Sequence, residues 1–527
     1  MIDSNRLYKL NTVAVHLALL RTGKILLFSG DHENIGDWKK GESSLWDPKN
    51  TDVQDDPLLE RNLFCSGHCF LPDGRLFVAG GQSTFNSIVT ILLSYPLILQ
   101  LYLKIRGREA ADHDIHTYDP DPALEPDPNR DPNLTPEPDK RWKRHLPGMP
   151  KARWYPTCIT LPDGKALIVS GTYSHAHHSL FGCMNLDYEI FDPINDELAK
   201  PEKFIENIKM YPFLQVLPGG TLFVHSEDTT KFWNIAEKNF IDNAEFHTNS
   251  LGTRTYPGMG SCVLLPLEPD SDTAKILIVG GSMLMSPNKN TDATDVAEIF
   301  EFNPEAPTES AGWRKTKHRT NIQRFMSDSI LLPDGTVLVT NGAAKGEADN
   351  NQVAVREIEL FDPSNETWEV IAYLKRDRLY HSSAILLPDG RVAVAGSTGH
   401  NWVRAVFNPR EHFEQNIEII TPPKLQCNPT RPEISNVPLS ISYNTSFDVT
   451  KSDSKKIKTV SLIKASSTTH NNNMDQRCII LPIKEQTKNT LKLSNPKDST
   501  YAPPGYYMLF LLNNKKIPSI GKFVKVG

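Results

Sequence analysis

Short apolar runs and polar turns alternate along most of the chain, and the alternation repeats. Each copy is an apolar strand, a turn built on Pro-Asp-Gly or a relative, a second apolar strand and then a small pair such as Gly-Gly. The copies are LLRTGKILLFSG at 19–30, FLPDGRLFVAGG at 70–81, TLPDGKALIVSG at 160–171 and VLPGGTLFVHS at 216–226. LLPLEPDSDTAKILIVGG at 264–281, LLPDGTVLVTNG at 331–342 and LLPDGRVAVAGS at 386–397 complete a set of seven. Asp-Gly suits a tight hairpin, because glycine takes positive φ freely and aspartate tolerates it, while the flanking Leu, Val and Ile favour strands. A second landmark follows most copies, an aromatic residue before Asp-Pro or Asn-Pro: Trp46, Tyr118, Phe191, Phe302, Phe361 and Phe407. It predicts the end of an outer strand.

Four-stranded units of about fifty residues repeated around an axis predict an all-β chain, a seven-bladed kelch-like β-propeller over 1–421. An insertion at about 85–140 lengthens one blade. It holds an apolar run at 88–103, too short for a membrane span and broken by Pro96 and Gln100, and an acidic, proline-rich stretch at 112–140 that reads as a solvated loop. Pro422, Pro423, Pro429 and Pro432 mark a linker. Short alternating strands follow, predicting a C-terminal immunoglobulin-like β-sandwich over 422–527.

Composition narrows the function. With a net charge of −6 and no concentrated basic face, nucleic acid is excluded as a partner. The cysteines at 65, 69, 158, 183, 262, 427 and 478 form no CxxC pair and are odd in number, which argues against both a disulfide framework and a structural zinc site. The first twenty residues lack the basic and then apolar pattern of an export leader. No membrane association is predicted, and the chain is expected to be a monomer.

The candidate chemistry emerges from register. Nine residues before the hairpin glycines Gly74, Gly164 and Gly390 stand Cys65, Tyr155 and His381, with Tyr211 and Met326 at the corresponding places of two further blades. Equivalent positions in a propeller converge on its axis, so these side chains are predicted to line one mouth.

FCSG at 64–67, RWYPT at 153–157, RLYHS at 378–382 and TTHNNNMDQR at 468–477 resemble, in that order, the active-site signatures of the galactose oxidase and glyoxal oxidase family. APPGYYMLFLLNNKKIPSIGKFVKV at 502–526 looks like the end of that family's second domain. The resemblance implies one copper ion held by Tyr155, Tyr380, His381 and His470, and a Cys65–Tyr155 thioether whose modified ring carries a tyrosyl radical. It makes Tyr155, Tyr380 and Cys65 the catalytic set, with Tyr380 as axial phenol and general base. Tyr173 falls where galactose oxidase has a tryptophan stacked over the crosslink. The implied partners are O2 and a small aldehyde, taken as its hydrate, or a primary alcohol, with H2O2 as the second product.

Ala343 occupies the place of a polar sugar contact, which disfavours galactose, and YPGMGS at 256–261 points to the glyoxal oxidase branch. Arg254 is a candidate contact for an anionic or hydroxylated substrate, although on most propeller loops an arginine is only a solvated or paired surface residue. The cluster His175, His177 and His178 reads as a solvated loop at the mouth. Family resemblance implies an extracellular protein. Two other readings remain open at this stage: a catalytically silent kelch scaffold that binds a protein partner, and an oxidase of carbohydrate alcohols.

Overall fold

The computed structural model describes residues 6–30, 41–55, 61–82, 112–121, 141–173, 184–205, 207–269, 271, 273–287, 290–310, 312–317, 321–346, 353–397, 414–452 and 455–527. Among them there is no α-helix, only short 3-10 turns, and no helix long and apolar enough to cross a membrane. The apolar run at 88–103, most of the acidic stretch, Cys183 and the 175–178 histidine cluster lie outside the described residues.

Seven antiparallel sheets form the ring. Their inner strands are His16–Leu19, Gly67–Phe70, Thr157–Thr160, Phe213–Leu217, Ser261–Leu264, Asp328–Leu331 and Ser382–Leu386, in blades 1 to 7. Every repeat recognised in the sequence forms the first two strands of one blade. The Pro-Asp-Gly turns work as their chemistry requires. The carboxylates of Asp73, Asp163, Asp334 and Asp389 accept the N–H two residues on, at 2.9, 3.1, 3.2 and 3.0 Å. The next residues, Gly74, Gly164, Gly335 and Gly390, have φ between 83° and 89°. The aromatic landmark differs slightly from expectation, because Trp46, Tyr118, Phe191, Phe302 and Phe361 lie at or next to the end of the third strand and the turn after them leads to the outermost one.

One closing device has no signal in the repeat pattern. Arg6–Lys9 crosses from the start of the chain to pair with Asn416–Ile420, so the N-terminal strand becomes the outer strand of blade 7 and latches the ring. Non-local pairing of this kind removes an exposed edge.

Buried arginines staple four blades. Arg153, Arg254, Arg324 and Arg378 each precede an inner strand, and each Nη1 donates to a carbonyl at the end of the second strand: Ser170, Gly280, Asn341 and Gly396, at 2.5, 3.2, 2.8 and 2.8 Å. A glutamate on the third strand pairs with three of them, Glu189 with Arg153, Glu298 with Arg254 and Glu359 with Arg324. Arg254 is thus committed to the blade by the Gly280 carbonyl and Glu298, which favours its reading as a paired arginine over that as a substrate contact.

After blade 7 the chain enters a sandwich of a four-stranded and a five-stranded sheet, running from Ile434–Asn436 to Lys522–Val526. Between its strands Ile457–Lys464 and Cys478–Ile480, the chain leaves the sandwich as a hairpin, Ser467–Thr469 and Asn472–Asn473. That hairpin adds to the inner edge of blade 1, with Thr469 opposite His16 and Thr468 opposite Leu17.

Candidate active site

The register found in the sequence has a backbone signature. Cys65, Tyr155, Tyr211, Met326 and His381 all have left-handed φ, of 61°, 63°, 46°, 49° and 64°. Residues with side chains rarely adopt this conformation, and it persists where surrounding structure over-determines it. Here the Tyr155 N–H donates to the Cys65 carbonyl at 2.9 Å and the Tyr211 N–H to the Tyr155 carbonyl at 3.0 Å, so neighbouring blades hold one another's strained residue. The turn before each inner strand thereby aims its side chain at the axis. Gly67 has its own steric reason, since a Cβ there would stand 2.4 Å from the Pro156 carbonyl oxygen.

The second imidazole arrives from the sandwich. The segment 468–477 is buried throughout although nearly all of it is polar, because the inner strands of several blades meet its hydrogen-bonding groups. Asp475 accepts from the Phe70 N–H at 2.8 Å and from Ser467 Oγ and Lys464 Nζ at 2.9 Å. Gln476 bonds Leu331 N and Ser329 O at 2.7 and 2.9 Å. Asn472 donates to Thr157 Oγ1 at 3.3 Å, and Arg477 to the Val216 carbonyl. At the hairpin tip His470 and Asn471 are both left-handed, at φ 48° and 65°.

These carriers bring Cys65, Tyr155, Tyr380, His381 and His470 together. Cys65 Sγ and the ring nitrogens of His381 and His470 lie within 4.8 Å of one another, all three buried. His470 Nε2 is 3.4 Å from Cys65 Sγ, while its Nδ1 is engaged by Thr469 Oγ1 at 2.6 Å, which fixes the ring and leaves Nε2 facing the centre. The two imidazoles meet edge to face with centroids 4.7 Å apart. Tyr155 and Tyr380 share a hydrogen bond between their hydroxyls, and Tyr380 Oη donates to Tyr256 Oη at 3.2 Å. The Cys65 thiol lies within hydrogen-bonding reach of Tyr155.

Burial governs the electrostatics. It holds His470 well below the usual imidazole range, with His381 and His68 adding to the effect, so the ring is neutral and its nitrogen lone pair available. Burial also raises the Cys65 thiol and the Tyr155 and Tyr380 phenols. A cation at this point would reverse that pressure on the phenols. Neutral imidazole nitrogens beside phenol oxygens are a donor set that copper(II) accepts well, and the residues present fit that metal.

Two features differ from the sequence reading. The ring stacked on Tyr155 is that of Tyr256, with centroids 4.4 Å apart and planes 26° apart, and Trp154 and Tyr211 cover its other sides edge to face. Tyr173 is partly buried against the core cluster that contains Trp154 and Tyr155, and it lines a cavity of about 260 Å³ with Lys151, Met184, Leu186, Asp187 and Lys203. Tyr256 begins YPGMGS, but the repeat register does not reveal its place at the site, because the blade 5 copy has a longer turn and counting back from a hairpin glycine does not reach it. Ala343 is fully buried and bridges Phe325 and Ala354 through its backbone.

Comparison with known proteins shows the family of the chain. Residues 133–422 match the family model described as glyoxal oxidase N-terminus, and 431–526 match galactose oxidase-like, Early set domain. A WSC domain-containing protein of Arthroderma benhamiae is 32% identical over 71% of this chain and 39% of its own length. Aldehyde oxidase GLOX1 of Arabidopsis thaliana is 28% identical over 73% and 65%, so these two relatives extend well beyond the matched region. Aldehyde oxidase GLOX of Vitis pseudoreticulata is 28% identical over 97% of this chain and 94% of its own. A solved structure of a fungal alcohol oxidase in complex with copper covers 99% of the chain at 20% identity with a TM-score of 0.74, a likeness of fold. With a family model matching more than half of its residues and two domains matched in order, the chain belongs to the glyoxal oxidase family.

Proposed function

We propose that this protein is a copper-radical oxidase that converts a small aldehyde, as its hydrate, or a primary alcohol to the acid or aldehyde, with reduction of O2 to H2O2. One observation carries the reading: Cys65, Tyr155, Tyr380, His381 and His470, from three blades and a second domain, meet at one buried point. A scaffold that binds a protein partner through its loops has no need of that convergence.

Tyr155, Tyr380, His381 and His470 would hold the copper. When bound, the ion supplies a one-electron couple and a positive charge that makes nearby hydroxyl groups more acidic. Substrate oxidation removes two electrons and two protons, so a second one-electron site is needed, and Tyr155 serves. Joined to Cys65 through a thioether, its ring is easier to oxidise, and Tyr256, Trp154 and Tyr211 keep water from it.

Tyr380, held between Tyr155 and Tyr256, accepts the proton of the substrate hydroxyl. Oxidised Tyr155 takes the hydrogen atom from the substrate carbon. Dioxygen receives the two electrons and two protons and departs as hydrogen peroxide. Thr469 keeps His470 in one orientation throughout.

The test is a peroxide-coupled assay of copper-loaded protein against small aldehydes, primary alcohols and galactose. Turnover of aldehydes or simple alcohols well above galactose is expected. Copper-loaded protein that is inert toward all three classes overturns the reading.

A further inference from the structure

We propose that Asp328 is a positioning residue for the two imidazoles, a carboxylate that ties the strand carrying His381 to the hairpin tip carrying His470. The inference rests on the copper reading above and goes beyond its ligand set.

Asp328 is the first residue of the inner strand of blade 6 and is 3% exposed. Its Oδ2 accepts from Asn341 Nδ2 at 2.6 Å and from Asn471 Nδ2 at 2.8 Å, and the carboxylate also receives the Ala384 backbone N–H. Asn471 directly follows His470. Ala384 lies three residues after His381, on the strand Ser382–Leu386. Two of the three donors therefore sit beside one ligand each, one on the propeller and one on the sandwich. The third, Asn341, is anchored in blade 6, where its carbonyl accepts from Arg324 Nη1 at 2.8 Å.

The tip needs such a hold. His470 and Asn471 are consecutive non-glycine residues in the left-handed region, a conformation that relaxes unless its surroundings impose it. The Thr469 hydroxyl fixes the His470 ring, whereas Asp328 holds the side chain of the next residue, Asn471. A carboxylate is suited to the task because it offers acceptors only, and all three groups that meet it here are N–H donors. Burial pushes this carboxyl up to about 7, and the N–H groups of Asn341, Asn471 and Ala384 pull it back toward its charged form. Burying a carboxyl with no cation among these partners is costly for a residue that only fills space.

The experiment compares copper-loaded wild type with Asp328→Asn, Asp328→Ala, Asn471→Ala and the double alanine variant, by competitive copper titration and by electron paramagnetic resonance of bound copper(II). Loss of the clamp is expected to weaken copper binding about 10- to 100-fold and to shift the copper hyperfine pattern in each alanine variant. The double variant should be no worse than the poorer single one, since both remove the same contact. Asp328→Asn, whose single oxygen can still accept from Asn341 and Asn471 but whose amide NH2 is a donor, should fall between wild type and Asp328→Ala.

Alanine variants that melt earlier yet keep wild-type affinity and spectrum would reduce Asp328 to a structural residue and overturn the proposal. Should Asp328→Ala fail to fold, Asn471→Ala carries the same test. Failure of the copper reading looks different: wild type itself would then show no imidazole-bound copper.

Discussion

The blade hairpins and the axial hairpin are both pairs of short strands, yet they are stabilised in opposite ways. Leu76–Ala79 and Ala166–Val169 are apolar and fully buried, with only the turn in water. The segment 468–477 is buried just as completely but, apart from Met474, is built from Thr, His, Asn, Asp, Gln and Arg. The first kind is held by burial of apolar area, which is non-directional and tolerates exchange among aliphatic residues. The second is held by directional bonds to particular strands, and each missing partner leaves a buried polar group unsatisfied. Precision at the centre of the ring thus comes from the polar insert, and the apolar blades supply the frame.

The largest effect should come from removing a ligand on either side of this division. His381→Ala, in the blade, and His470→Ala, in the insert, should each abolish tight copper binding and peroxide production while the ring stays folded, as read by copper titration and thermal melting. A variant that retained full activity would break the equivalence of the two carriers.

Next comes Asp475→Ala, which strands Lys464 and frees the Phe70 N–H; it should cost about 3–5 kcal/mol in denaturant unfolding. An exchange among aliphatic residues such as Leu76→Met should cost under about 1.5 kcal/mol. Arg254→Ala should destabilise blade 5 by a similar 3–5 kcal/mol through the loss of its pairing with Glu298. In the folded fraction KM should be unchanged, and a large rise in KM would return Arg254 to the substrate.

The smallest is Tyr256→Phe. It keeps the ring over Tyr155 but loses the hydroxyl that faces Tyr380, and should lower kcat by about fivefold, the rate equivalent of a hydrogen bond of about 1 kcal/mol.

The same contrast explains what could be read from the sequence. Blade hairpins announce themselves through periodicity and turn chemistry, so seven blades and the common register of Cys65, Tyr155 and His381 followed from counting. The axial insert does not. Standing alone, TTHNNNMDQR has the composition of a solvated loop, and only its likeness to a family signature marked His470. The latch Arg6–Lys9 was hidden because a four-residue strand pairs with a partner some four hundred residues away. Tyr256 and Asp328 were missed for a related reason, since their roles depend on contacts between blades and leave no local pattern.

The central claim is that Cys65 and Tyr155 are brought together to form one redox group beside a metal. Its most direct test is the intact mass and peptide map of copper-loaded protein exposed to air. The account predicts the loss of two hydrogen atoms and a linked peptide pair containing Cys65 and Tyr155, both absent from Cys65→Ala. Copper bound in full with the mass unchanged would contradict it.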